Sequence, residues 1–124
     1  LHTKDASQTI ARIIDVFPSN QQNQIRYQLS SVLLGVVSQR LLPKIGGGRV
    51  PAVEIMKCNN AVENLIRQSQ THQIGVVMET SLDEGMISIN RSLAMLVSEG
   101  KVSLEDAEGF ATDKNSFKML LESI

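Results

Sequence analysis

Apolar residues recur at intervals of three and four along most of this 124-residue chain, which is the spacing of one face of an α-helix. Turn residues and capping motifs separate the periodic segments from one another. The pattern predicts a mostly α-helical fold. The predicted helices cover about residues 6–16, 20–39, 61–68, 72–79, 88–99, 104–111 and 115–123.

Three consecutive glycines, Gly46 to Gly48, interrupt the helical pattern between two short apolar runs. Glycine adopts positive φ without steric cost, so the triplet can make a tight chain reversal. We therefore predict a β-hairpin over about residues 40–56. Pro43 and Pro51 lack an N–H donor, and we expect each of them at a sheet edge, a strand start or a bulge. Because an isolated hairpin is marginal in water, this one must pack on a larger body.

Four predicted helix starts carry a side chain that could cap the helix and a partner three residues later. Gly100 follows the last apolar position of its helix and is expected to end it. The four pairs are Asp5 with Gln8, Ser19 with Gln22, Asn60 with Glu63, and Ser103 with Asp106.

The amino-acid composition argues against several classes of protein, namely nucleic-acid-binding, disulfide-linked, zinc-binding and membrane-spanning proteins. Apolar residues make up 42% of the chain but aromatic residues only 3%, so the core must be aliphatic. A net charge of -1 offers no field that would hold a polyanion, and we expect no nucleic-acid partner. The single cysteine, Cys58, excludes an internal disulfide and a zinc site, and we interpret it as a half-buried apolar residue. No apolar run approaches the roughly 20 residues of a membrane span, and Leu1 suggests a chain cut from a longer one.

Few residues are candidates for catalysis. Gly46 to Arg49 does not fit a phosphate-binding loop, because such a loop needs a lysine and a hydroxyl residue opening a helix. His2 and His72 are the histidines of the chain. His72 is expected to be structural. His2 ends an extended segment just before a capped helix, which is where sheet proteins hold catalytic groups.

Several ordered segments resemble a known family, the type II/IV secretion ATPases, and most closely its members that retract type IV pili in twitching motility. The residues Ala61 to Arg67 match the signature helix AIRNLIRE of those members. The resemblance runs from His2 to about Leu121. Its other segments are Leu1 to Thr3, Thr9 to Pro18, Ser38 to Pro43, Gly47 to Met56, Thr71 to Ile74 and Gly85 to Met86.

The resemblance implies the C-terminal part of a RecA-like P-loop ATPase domain, acting in a homo-hexameric ring that uses ATP and magnesium to retract pili. It further implies a cytoplasmic location, peripheral to the bacterial inner membrane, and a partner in the pilus inner-membrane platform protein. A pilus-assembly or type II secretion ATPase is an alternative within the same family. The Walker A and Walker B segments of the family precede the matched region and are not in this sequence. We therefore expect this chain alone to hold no cofactor or metal and not to hydrolyse ATP.

The resemblance also suggests site residues. His2 corresponds to the His box near the nucleotide γ-phosphate, as a catalytic residue of the intact protein only. The signature helix would couple nucleotide state to pilus retraction. Glu63 replaces a family arginine, and Asn60 a common proline, which turns that helix start into a capping box. The matching positions of the signature helix are Ala61, Asn64, Leu65, Ile66 and Arg67.

Two further hypotheses follow from the residues. Removal of the upstream sheet would leave apolar surface exposed, so the chain is expected to self-associate. In a different class, Ser88 to Glu99 and Leu104 to Ala111 could form a helix-turn-helix binding module with the hairpin as a wing. Glu105, Asp106 and Glu108 argue against DNA binding by its second helix.

Overall fold

The computed structural model describes residues 5–124 as seven α-helices and one two-stranded antiparallel sheet. Single turns of 3₁₀-helix lie at Ser19–Gln21, Thr71–Gln73 and Leu82–Glu84. In chain order the elements are α1 (Ala6–Asp15), α2 (Gln22–Val32), β1 (Gly35–Pro43), β2 (Arg49–Lys57), α3 (Asn60–Arg67), α4 (Ile74–Glu79), α5 (Ile89–Ser98), α6 (Leu104–Phe110) and α7 (Lys114–Ser123).

The glycine triplet makes the reversal between the two strands, as its sequence predicts. Gly46, Gly47 and Gly48 have φ values of 92°, 112° and 78°, which side-chain-bearing residues rarely adopt. The strands pair in register from Gly35↔Lys57 to Pro43↔Arg49. The hairpin is confirmed and is longer than predicted, because β1 begins five residues before residue 40.

The predicted helix over residues 20–39 is wrong in its last third. Helix α2 ends at Val32, and β1 begins at Gly35. Every residue from Val32 to Val37 is apolar or glycine, so a helical and a strand periodicity fit this stretch equally well. The residues from Gly35 onward form a strand because they pair with β2. A Cβ atom on Gly35 would lie 2.6 Å from the carbonyl oxygen of Met56, so glycine allows the close strand contact.

The structure confirms two of the predicted caps and corrects two. The side chains of Asp5 and Ser103 accept hydrogen bonds from the backbone N–H groups of Gln8 and Asp106. Ser19 caps nothing, because the chain enters α2 through a 3₁₀ turn. Helix α3 is capped by Asn59 rather than by Asn60, one residue earlier than predicted. Between two of the predicted helices, residues 82–85 form a short 3₁₀ turn that ends at glycine.

Two separate apolar clusters form the interior, and β2 contributes to both. Met56 belongs to the first core and Ala52 to the second, while Glu54 lies between them on the same inward face. The first core consists of Ala6, Ile10, Ile14, Met56, Val62, Ile66, Ile74, Met78 and Met86. The second core consists of Leu42, Ala52, Ile89, Leu93, Ala94, Leu96, Val102, Ala107 and Phe117.

The two edges of the sheet differ. The β2 edge is covered: Ile55 bridges to Ile87, and the N–H of Val53 donates to Ser92 Oγ at 3.0 Å. Hydrogen bonds from Lys44 N to Gly48 O and from Cys58 N to Leu34 O frame the hairpin, so the even-numbered residues of β1 bond to β2.

The odd-numbered residues of β1 turn their backbone groups away from β2. Within residues 5–124, the N–H groups of Val37, Gln39 and Leu41 have no backbone partner. Pro43 and Pro51 occupy odd positions, where a ladder needs no N–H from them, as expected for an edge. Among residues 5–124, no helix is long and apolar enough to cross a bilayer.

Candidate functional site

The signature helix α3 has one buried face and one exposed face. Val62 and Ile66 are buried in the first core, and Leu65 is half-buried beside it. Ala61 and Asn64 are exposed. Ile66 is thus fully packed inside the protein, and Leu65 only in part. Ala61 and Asn64 are therefore the members of the signature that an outside partner could contact.

Arg67 anchors the end of α3 to α2. Its Nε donates a hydrogen bond to Ser30 Oγ at 3.0 Å, and Ser30 in turn donates to the carbonyl of Tyr27 at 2.8 Å. Ser30 is buried, with 1% of its surface exposed. The Arg67 guanidinium also lies 3.6 Å from the carboxylate of Glu63, one helical turn away. The acid that replaces the family's arginine thus forms an i,i+4 ion pair on this helix, a small stabilising term.

Glu54 is a buried acidic residue, with only 3% of its surface exposed to solvent. Its two carboxylate oxygens accept hydrogen bonds from the backbone N–H of Ala6 at 2.5 Å and of Ile89 at 3.1 Å. These are the first residues of α1 and α5, so two helix N-termini point at one carboxylate. Burial outweighs both hydrogen bonds and, with the charges of Asp5 and Glu79, raises the pKa of Glu54 from 4.5 to about 7.

A cavity of about 280 Å³ opens beside Glu54 at the boundary of the two cores. Its walls combine polar and apolar residues, which come from both sides of that boundary. His72 lies on one wall and is exposed to solvent. The polar residues around the cavity are Asp5, Ser7, His72 and Glu79 on one side and Ser88, Asn90, Thr112, Asp113 and Ser116 on the other.

The glycine triplet does not form a phosphate-binding loop in the structure. The triple-glycine turn joins two strands rather than opening a helix, and no residue lies within 4 Å of the Cβ positions of its glycines. Within residues 5–124, no group of three histidine, cysteine or acidic residues could hold a metal. The remaining candidate, His2, lies outside the described residues, so its predicted role in the His box stays a prediction.

The structure brings together only part of what the sequence suggested. Arg67 and the buried residues of α3 meet at α2, whereas His72 lies at the separate cavity of Glu54. Sequence reasoning missed Glu54 as a site residue. The available signal was strand alternation, which places Glu54 between the inward positions Ala52 and Met56. A carboxylate at such a position predicts a buried, hydrogen-bonded charge.

The helix-turn-helix hypothesis finds no support in the charge of α6. Glu105 and Asp106 are exposed in its first turn, where a helix that reads DNA bases needs cationic or hydrogen-bonding side chains.

Comparison with known proteins shows that the chain is similar to a segment of type IV pilus ATPases. No family model matches it. It is nevertheless 41% identical over 117 residues to the type IV pilus retraction ATPase PilT of Pseudomonas aeruginosa, which covers 94% of this chain and 34% of that protein. The identity is also 41% with the twitching motility protein of Neisseria gonorrhoeae, and it is 30% with the type IV pilus ATPase PilU of P. aeruginosa.

Solved structures agree with the sequence comparison. The pilus retraction motor PilT with bound ADP matches 96% of this chain and 33% of its own, with a TM-score of 0.83 and 44% identity. The ATPase DotB of Legionella pneumophila shares the fold at a TM-score of 0.68 and 14% identity. The chain is thus homologous to a segment of PilT pilus retraction ATPases and spans about a third of their length, which confirms the resemblance inferred from the sequence.

Proposed function

We propose that this chain is the C-terminal portion of a RecA-like motor domain that retracts type IV pili as part of a homo-hexameric ATPase. In the intact protein the motor binds ATP and magnesium, with His2 in the His box. It works in the cytoplasm against the bacterial inner membrane, where it meets the pilus platform protein. The observation that carries the proposal is 41% identity to PilT over 94% of this chain.

The open edge of β1 supports a RecA-like parent. Three consecutive outward N–H groups, those of Val37, Gln39 and Leu41, have no backbone partner among residues 5–124. The side chains of Val37 and Leu41 on this strand are 72% and 47% exposed. An open apolar edge is where a further strand adds, so the hairpin extends a larger sheet in the parent.

When this edge is left open, a second copy of the chain can occupy it. We propose that the 124-residue chain self-associates by pairing β1 with β1 of another copy. Leu34, which is 89% exposed just before β1, adds apolar surface to the same region.

The signature helix is proposed to transmit motion. Arg67, tied to Ser30 of α2, and Ile66, in the first core, make α3 and α2 one rigid unit. The exposed Ala61 and Asn64 then form the surface through which this unit acts on its neighbour. A rigid helix with a free face can pass a movement of the motor to a partner with little loss.

A chimera tests the proposal. The corresponding third of P. aeruginosa PilT is replaced by this chain, and the chimera is expressed in a strain that lacks PilT. We expect twitching on agar and ATP hydrolysis by the purified chimera. Twitching that stays absent although the chimera hydrolyses ATP would favour the alternative, a pilus-assembly or type II secretion ATPase.

Two variants of the PilT chimera serve as matched tests of α3. Asn64→Ala, on the exposed face, should abolish twitching while ATP hydrolysis continues. Gln68→Ala, exposed just after the helix, is the control and should leave both intact. A chimera that hydrolyses ATP as a hexamer but never retracts pili, with or without these substitutions, contradicts the proposed function.

A further inference from the structure

The boundary between the two cores carries charged and polar side chains beside apolar ones such as Met78 and Ile89. Glu79 at the end of α4 and Arg91 in α5 form an ion pair across it at 3.6 Å. The buried Nε of Arg91 has no hydrogen-bond partner, so this contact is incompletely satisfied. With the cavity of about 280 Å³ at the same place, the boundary lacks the close apolar packing that holds each core together. We name it the seam.

Glu54 lies in this seam and contacts both sides of it. Through Ala6 it holds α1, which belongs to the first core, and through Ile89 it holds α5, which belongs to the second. Both contacts use the same carboxylate, on the strand that passes through both cores. The protonation state of the Glu54 carboxylate can therefore affect the contact between the two cores.

We propose that the seam is a pH-dependent joint, closed when Glu54 is protonated and driven open when Glu54 ionises. Burial of the carboxylate is the largest effect on Glu54 and disfavours its charge. An open seam would admit water to the carboxylate and remove that penalty. The closed arrangement consequently binds the proton more tightly than the open one, and by linkage a rise in pH favours opening.

Several charged groups face Glu54 and act on the joint. Asp5 at the start of α1 and Glu79 on α4 raise the pKa of Glu54 by repulsion, so they favour the protonated, closed state near neutral pH. The other charged or titratable groups at the seam are His72 before α4, Arg91 on α5 and Asp113 before α7.

The joint can be tested by measuring the distance between the two halves. Nitroxide labels are attached at R12C and K118C, exposed positions on α1 and α7, in a chain that also carries C58S. Pulsed electron resonance then gives the distance distribution between pH 5 and pH 9. We expect a single population with a short distance between the labels at low pH. As the pH rises to 9, the ratio of a second population, with a longer distance, to the first should increase at least tenfold.

Two matched variants separate the joint from other causes. With E54Q added, the side chain cannot ionise, and the distribution should no longer depend on pH. With H72Q added, the pH dependence should persist, because the proposal assigns it to the Glu54 carboxylate and not to the imidazole. A distribution independent of pH in the chain with Glu54 intact overturns the proposal, whether or not the E54Q variant folds. So does a pH response that survives E54Q or disappears with H72Q.

Discussion

Replacement of Glu54 by glutamine should change how the stability of this protein depends on pH. Folding raises the pKa of Glu54 from 4.5 to about 7. Between these two pH values, the folded chain therefore holds a proton on Glu54 that the unfolded chain has released. Below pH 4.5 the group is protonated in both states, and its burial then has no charge penalty. As the pH rises to 7, the free energy of unfolding falls, and above 7 the loss is complete.

The expected size follows from the shift. At about 1.4 kcal/mol per pH unit, the change from 4.5 to about 7 corresponds to a loss of about 3 kcal/mol. Only 3% of Glu54 is exposed, so solvent screens this penalty little. Most protein carboxylates act in the opposite direction, because their pKa values are lowered by folding.

Urea unfolding, followed by far-ultraviolet circular dichroism at pH 5, 6, 7 and 8, measures the effect. E54Q loses part of one hydrogen bond at every pH, so the informative quantity is the difference between the two proteins as a function of pH. Between pH 5 and 8 the wild-type chain should lose roughly 2 to 3 kcal/mol relative to E54Q. E122Q, at an exposed position of α7, is the control and should follow the wild-type curve. Parallel curves for wild type and E54Q would refute the reasoning.

Three further predictions concern the cap of α3, the open strand and the chemistry. Asn59→Ala should lower the free energy of unfolding by about 1 kcal/mol, because the Asn59 side chain accepts a hydrogen bond from the N–H of Val62. Asn60→Ala is the control and should change this free energy little. Equal effects of the two substitutions in urea unfolding would contradict the cap at Asn59. Val37→Lys should weaken self-association measured by sedimentation velocity, since a charge blunts a strand edge, and an unchanged distribution would exclude β1 as the contact. The 124-residue chain with magnesium and ATP should release no phosphate above background in a colorimetric assay, and turnover would show that a nucleotide site lies within it.

Local sequence signals alone predict the hairpin turn, two helix caps and the buried face of the signature helix. Glycine at three successive positions dictates a reversal because only glycine tolerates positive φ at each of them, and the structure places a hairpin there. The caps at Asp5 and Ser103 are equally local, since one side chain meets a backbone N–H three residues away. The signature helix was recognisable because its residues match in order, and its buried face follows from helical spacing.

Tertiary structure decided the features whose energy depends on residues far away in the chain. The stretch from Val32 to Val37 is apolar or glycine at every position, and it becomes strand because β2, about twenty residues later, supplies the backbone partners. Burial of Glu54 depends on Ala6 and Ile89, which lie 48 and 35 residues away in sequence. Chain periodicity places Glu54 on the inner face, but only the packing of two cores against one strand creates the desolvation that raises its pKa.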